Sequence, residues 1–198
     1  MALSDKTLSD NMLIMIRLNM MKISPKAVPQ EFQEDMTKAI SQATITAMKT
    51  LAVTSGGGNV VIGTGSGLTV KDSIMTETAV NMMLGFTGGS SGAAMRPFME
   101  AIMESIKQHL SLAVITSVSG FGGQGGPPVG VTPAVLEQLI MSFLPSNVVT
   151  GMTSSPQGLF FVKSIAEGIS IGISTGIPGF VPMGSVPPSP GALIGKFS

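Results

Sequence analysis

The chain has 198 residues and no cysteine, so it is long enough to bury a core but can build neither a disulfide framework nor a thiolate metal site. Its 11 basic and 11 acidic side chains give a formal net charge of +0, and charged residues make up only 11% of it, against about 25% in an ordinary soluble domain. The basic residues are scattered singly and there is neither Trp nor Tyr, which argues against a nucleic-acid partner, because phosphate binding needs clustered cations and base stacking needs aromatic faces. The charge is also uneven: residues 1–109 hold nine basic and nine acidic side chains, and after them come only Glu137, Lys163, Glu167 and Lys196. A half-chain with so few charges is expected to be covered by lipid or by other protein.

In chain order, residues 1–8 read as a short arm and Ser9-Asp10 as an N-cap pair. Met12 to Met21 (MLIMIRLNMM) is expected to be a helix with apolar residues nearly all round, and therefore buried on every side. Ser24-Pro25 to Pro29 breaks it. From Gln30 a second helix carries Phe32, Met36, Ile40, Ala43, Ala47, Met48 and Leu51 on one face, and Glu31, Glu34 and Asp35 load its first turn as the helix dipole prefers. It ends at Ser55-Gly56-Gly57-Gly58. Residues 59–62 (NVVI) read as a short β segment, followed by GTGSG at 63–67. Lys71 to Phe86 is a third helix, with Met75, Ala79, Met82, Met83 and Phe86 in step.

Ser90 to Pro128 reads as a long helix that runs out into glycine. Met95, Phe98, Met99, Ile102, Met103, Ile106, Leu110 and Ala113 step by 3 or 4 and share one side, with Glu100, Glu104, Lys107 and Gln108 on the other. The glycines from Gly120 to Gly126, then Pro127 and Pro128, end it. Thr132-Pro133 is a cap followed by a first-turn proline, opening a helix with Val135, Leu136, Leu139, Ile140 and Phe143 that stops at Pro145. Ser155-Pro156 starts a final helix through Leu159, Val162, Ile165, Ala166 and Ile169, whose end Gly168, Gly172 and Gly176 weaken. From Ile177 the chain is expected to be extended and proline-rich.

MTKAI at 36–40, FMEAI at 98–102 and FVKSI at 161–165 lie 62 and 63 residues apart, each in the longer helix of a pair that a glycine-rich run follows. The expected fold is therefore mainly α: one domain over 1–198 with three helix-pair units, 9–68, 69–130 and 131–175, joined by Gly/Pro-rich loops. Chance recurrence of short low-complexity strings is the competing explanation. Residues 176–198 form an extended interaction tail, because Pro178, Pro182, Pro187, Pro188 and Pro190 forbid a helix and disfavour a central strand.

No residue set announces a chemistry. GTGSG is GxGxG, neither the dinucleotide fingerprint nor a P-loop, and a turned connection explains it better than a phosphate site. His109 is the one histidine, lies beside an apolar helix face, and reads as structural or interfacial; a Ser-His-Asp arrangement would need an acid and a serine beside it. Glu100 and Glu104 read as a solvated face rather than an acid couple. The 16 methionines read as helix packing before a copper or partner groove. The expectation is no enzyme, no metal, no cofactor and no small-molecule substrate.

The uncharged runs 110–136 and 168–195 exceed a bilayer span, but glycines and prolines interrupt both, so no clear transmembrane helix is expected. Asp5, Asp10 and Arg17 interrupt the N-terminal apolar stretch, so no signal peptide is expected.

Apolar helices such as FMEAIMESIKQHLSLAVIT and FVKSIAEGISIGIST, feeding runs like GGQGGPPVG and SVPPSPGALIGKFS, give the chain an organisation that resembles small virion structural proteins of tailed bacteriophages, of the tail, baseplate or neck type. The resemblance carries no functional residue over. It implies a virion location after assembly in the host cytoplasm, and partners that are other copies of the chain and other virion proteins. The expected function is a non-enzymatic structural assembly subunit, a homo-oligomer whose Gly/Pro-rich segments make subunit contacts through Phe121, Ile177, Phe180, Val181, Met183, Val186, Leu193, Ile194 and Phe197. The alternative is a membrane-active oligomer, a pore or ejected channel protein.

Overall fold

The computed structural model describes residues 4–26, 29–59, 64–70, 72–86, 92–116, 128–176, 180–182 and 191–197. Seven helices and five strands follow one another among them: α1 (Asp5–Met21), α2 (Glu31–Thr50), β1 (Ala52–Asn59), β2 (Thr64–Val70), α3 (Asp72–Phe86), α4 (Gly92–Ser111), β3 (Val114–Thr116), α5 (Pro133–Phe143), α6 (Ser146–Thr153), α7 (Pro156–Gly176), β4 (Phe180–Pro182) and β5 (Gly191–Phe197). The fold is mainly α-helical with a small curled antiparallel sheet in the order β3-β2-β1-β5-β4.

The helices form largely where apolar spacing places them, but α4 ends at Ser111 and Val114–Thr116 is strand β3 where the long helix was expected to continue. In α4, Phe98, Met99, Ile102, Met103, Ile106 and Leu110 are buried, while Gln108 is exposed and Glu100, Glu104 and Lys107 are part-exposed. Helix α5 starts at a first-turn proline behind Thr132 and stops before Pro145. The short α6 has no counterpart among the expected elements.

Three expectations are corrected along α1. Its cap is Ser4, whose side chain accepts from the Thr7 amide at 3.1 Å, so residues 5–8 are helical and Leu8 is in the core. Ser9 is no cap; it is buried and shares a 3.0 Å hydrogen bond with Thr37 of α2. The helix is not buried all round either. Leu8, Met12, Ile16 and Asn19 face inward, whereas Ile14, Leu18 and Met21 are exposed.

Helix α7 runs through Gly168 and Gly172 to Gly176, and Gly168 and Gly172 lie on the face that meets α1. A Cβ built at Gly168 would stand 2.5 Å from Met12 Cα and 2.7 Å from Met12 N, and one at Gly172 would overlap Leu8 Cδ1. Any larger residue at 168 would strike backbone, so the absence of a side chain sets how closely the two helices approach. Beside this seam Asn19 Nδ2 donates to Ser164 Oγ at 3.0 Å and to Glu167 Oε2 at 2.9 Å, and the Ser164 hydroxyl lies 2.5 Å from the Phe160 carbonyl of its own helix and 3.2 Å from the Met15 carbonyl of α1. Lys22 Nζ donates to Asn19 Oδ1 at 2.6 Å, so the buried amide is satisfied on both ends.

The largest correction concerns the glycine-rich runs and the tail. Residues 52–59 and 64–70 are strands rather than loops, and the tail contributes β5, an inner strand bonded to β1 on one side and β4 on the other. Backbone ladders need no side chains, so glycine pairs where its low strand propensity gives no warning. Pro182 fits the usual rule, lying on the outer strand β4. The β1–β5 register shifts between Thr54 and Gly58, and the buried Thr54 hydroxyl accepts from the Leu193 amide at 2.9 Å, replacing a ladder bond. Gly67, at φ 68°, sits in β2 where the left-handed region favours glycine. Ala52, Thr54, Leu68, Val70, Ile115, Leu193 and Phe197 are buried beneath the helices, and Thr69, Ile194 and Lys196 are exposed.

Gly168→Ala should lower stability by about 1–3 kcal/mol, because overpacking against the Met12 backbone outweighs the helix-propensity gain of up to ~1 kcal/mol. Gly151 of α6 has nothing within 4 Å of a built Cβ. Gly151→Ala should therefore be neutral or stabilising by up to ~1 kcal/mol. Urea midpoints of the two variants check this, and equal midpoints would show that the seam is not closely packed.

Candidate functional site

The residues singled out from the sequence do not converge. Leu193 and Phe197 are buried in the chain's own sheet, at 1% exposure each, so they are core rather than subunit-contact residues. Ile194 points outward at 52% exposure. Phe180 and Val181 lie in the outer strand β4. Phe121, Ile177, Met183 and Val186 lie outside the described residues. The described part of GTGSG, from Thr64, is strand β2, so the nucleotide-loop geometry of open amides at a helix start is not formed there. A Cβ at Gly65 would meet Thr54 Cγ2 at 2.8 Å, which explains a glycine at that position by packing.

His109 is placed by α4 near the helix's C-terminal end and is fully buried. Its Nε2 is 3.4 Å from Ser170 Oγ of α7, and its Nδ1 has no hydrogen-bond partner. A nucleophile–base pair needs a third group to orient the base and a path for substrate. Here the orienting atom is unpaired, and Ser170 is itself 1% exposed. Burial pushes the imidazole down to about 4, so the ring is neutral at pH 7. The negative end of α4 would favour a charged ring by at most ~2 kcal/mol, and desolvation outweighs it.

Glu100 is paired with Arg96 at 3.1 Å, and Arg96 also reaches Glu77 at 3.4 Å. The two acids hold the exposed guanidinium's pKa above its ordinary value, mainly through hydrogen bonds to Glu100 and then Glu77. Glu104 pairs with Lys107. Both acids are thus partnered on a part-exposed face, beside shallow grooves of about 430 and 460 Å³ that share Glu104 and Phe143. A third groove, of about 360 Å³, lies between α1, α2 and α3 and is lined by Asp5, Lys6, Asp10, Lys38 and Phe86 among others. Its acid Asp10 is paired to Lys6 at 2.5 Å. Among the described residues no three His, Cys, Asp or Glu side chains gather to hold a metal ion.

What the described surface does show is exposed apolar area, which sequence reasoning placed in the tail and which includes Ile194 there but extends well beyond it. Ile14, Leu18, Met21 and Ile23 are exposed along and just after α1, and Leu112, Val114 and Val129 are exposed around the Val114–Val129 bridge. The spacing of 14, 18 and 21 carried the signal, hidden because the opposite face of α1 is equally apolar.

Against the expectation of no clear transmembrane helix, residues Pro156–Thr175 of α7 are long and apolar enough to cross a membrane by length and composition, with mean hydropathy 1.2; half of the span is buried in the fold, and a core helix meets the same test. Gly168 and Gly172 do not interrupt this helix, because α1 packs on them. That helix does not support the description of the chain as a bacteriophage virion protein of the tail or baseplate, which rested on the organisation of apolar helices and Gly/Pro-rich runs.

Protonation of His109 opposes folding. Its folded pKa is below the unfolded value of about 6.5, so the unfolded state binds the extra proton first. The stabilising difference is full above about pH 6.5 and is lost as pH falls toward about 4, on the order of 3 kcal/mol over that window. Urea unfolding at pH 7 and pH 4 should show that this part of the acid loss disappears in His109→Gln. An unchanged loss in the variant would remove His109 as its source.

No protein-family model matches the chain, and neither the curated proteins nor the solved structures yield a match.

Proposed function

We propose that this is a non-enzymatic assembly protein that works by burying apolar surface against protein neighbours, other copies of the chain included. One observation carries the reading: thirteen large apolar side chains among the described residues are more than a third exposed, on a chain that is only 11% charged. Covering such surface contributes about 25 cal/mol per Å². All but Ile23, Leu112 and Val129 lie on helices and strands already fixed by the core, so little ordering cost opposes association.

A second reading, membrane activity, has its own support in the length and composition of α7. It requires α7 to leave α1, α5 and α6, against which it packs in the fold. That exchange replaces core contacts with lipid contacts and exposes the face now covering Met12 and Leu8.

Sedimentation velocity over about a hundredfold range of concentration tests the first reading. Its expected result is a mass rising above that of the 20.3 kDa chain, with the rise reduced in Phe143→Ser and Ile194→Ser, both on exposed positions. A single 20.3 kDa species at every concentration that instead floats with lipid vesicles would favour the second reading.

A further inference from the structure

The outer face of α1 joins an exposed apolar stripe with exposed cations. Ile14, Leu18 and Met21 are 52%, 51% and 44% exposed and follow one another at i, i+4 and i+7, on one side of the helix. Ile23 extends them into the following turn at 38% exposure. The basic residues of this stretch, Arg17, Lys22 and Lys26, are all exposed. From Asn11 to Gln30 the sequence contains no Asp or Glu. The first carboxylates beyond it, Glu31 and Glu34, open α2. The carboxylate that α7 brings to this end, Glu167, is occupied by Asn19 at 2.9 Å and lies 4.0 Å from Lys163. At the other end of α1, Asp10 is bound by Lys6.

We propose that the outer face of α1 binds the surface of an anionic lipid bilayer, with Ile14, Leu18 and Met21 entering the headgroup boundary and Arg17, Lys22 and Lys26 meeting lipid phosphates. Charge complementarity selects this occupant. A second copy of the same face would bring the three cations against three cations, and a neutral bilayer would offer them no counter-charge; Lys22, which gives one N–H to Asn19 Oδ1, keeps two donors for a phosphate. An amphipathic helix lying in the interface combines apolar insertion with electrostatic attraction to acidic headgroups. The face is already formed in the fold. The inner face of α1 stays on α7, so docking needs none of the opening that insertion of α7 would require. The proposal is therefore independent of that second reading and of self-assembly.

The test is flotation of the full chain with vesicles of phosphatidylcholine alone, and of phosphatidylcholine with about one third phosphatidylserine. Binding is expected to the anionic vesicles and to weaken strongly at about 0.5 M salt. Arg17→Gln should weaken it about fivefold, and Leu18→Glu at least about tenfold. Both positions are exposed, and an unchanged thermal unfolding profile shows that the core is intact. Free phosphate up to about 10 mM should not compete, because the apolar stripe gives a lipid surface an advantage that a lone anion lacks. Absence of binding, or equal binding by wild type and Leu18→Glu, would overturn the proposal. So would self-association that Leu18→Glu abolishes without any lipid binding. Salt-resistant binding retained in Leu18→Glu would assign membrane contact to α7 and likewise overturn docking through α1.

Discussion

The close approach of α1 and α7 is the constraint on which the rest of the fold depends. A Cβ at Gly168 would fall 2.5 Å from the Met12 backbone, so the helices meet through glycine rather than through interlocked side chains. Close backbone approach maximises dispersion contact, and the polar seam of Asn19, Ser164 and Glu167 fixes the register along it. A slip of one turn would place Asn19 away from its acceptors and bury an unsatisfied amide. The seam joins residues about 150 positions apart, since Asn19 and Ser164 are separated by 145. The sheet adds a second long-range closure, in which the last strand, β5, pairs with the first, β1. Helix α7 brings the chain back to α1, and the strands after it then fall beside β1.

These closures explain why a chain with few charges holds a defined fold. Its core is built mainly of aliphatic side chains and methionine, with Met12, Met36, Met48, Met75, Met83, Met99 and Met103 fully buried beside Phe98 and Phe197. Buried hydroxyls answer to backbone carbonyls one turn earlier, as Thr44 does to Ile40 and Ser105 to Ala101. His109 is the exception, with one long bond to Ser170 and one ring nitrogen unpaired. Its cost is smallest when the ring is neutral, which ties the α4–α7 contact to pH.

Helices α2, α3, α5, α7 and most of α4 were legible from apolar spacing, and the burial of Met99, Ile102 and Ile106 follows their step of 3 and 4. The mainly α class was legible for the same reason. Two kinds of information were not. An all-round apolar helix leaves its phase undefined, so the exposure of Ile14 and Leu18 had to come from where α7 sits. Glycine runs and prolines read locally as breaks, yet Gly56 pairs with Ser66 and Gly58 with Gly191 in ladders that only the distant strand supplies. The same blindness misread Gly168 and Gly172, whose local effect is to weaken a helix and whose tertiary effect is to seat another. As for function, apolar composition indicated a surface to be covered, but the tail expected to supply it is partly core, through Leu193 and Phe197.

Hydrogen exchange of the intact chain measures the α1–α7 closure most directly. If the seam is the last structure to open, the amides of residues 9–19 and 165–173 should exchange at one common slow rate, close to that of global unfolding. Rapid exchange across residues 9–19 while residues 165–173 remain protected would show that α1 is held separately, and would contradict the account.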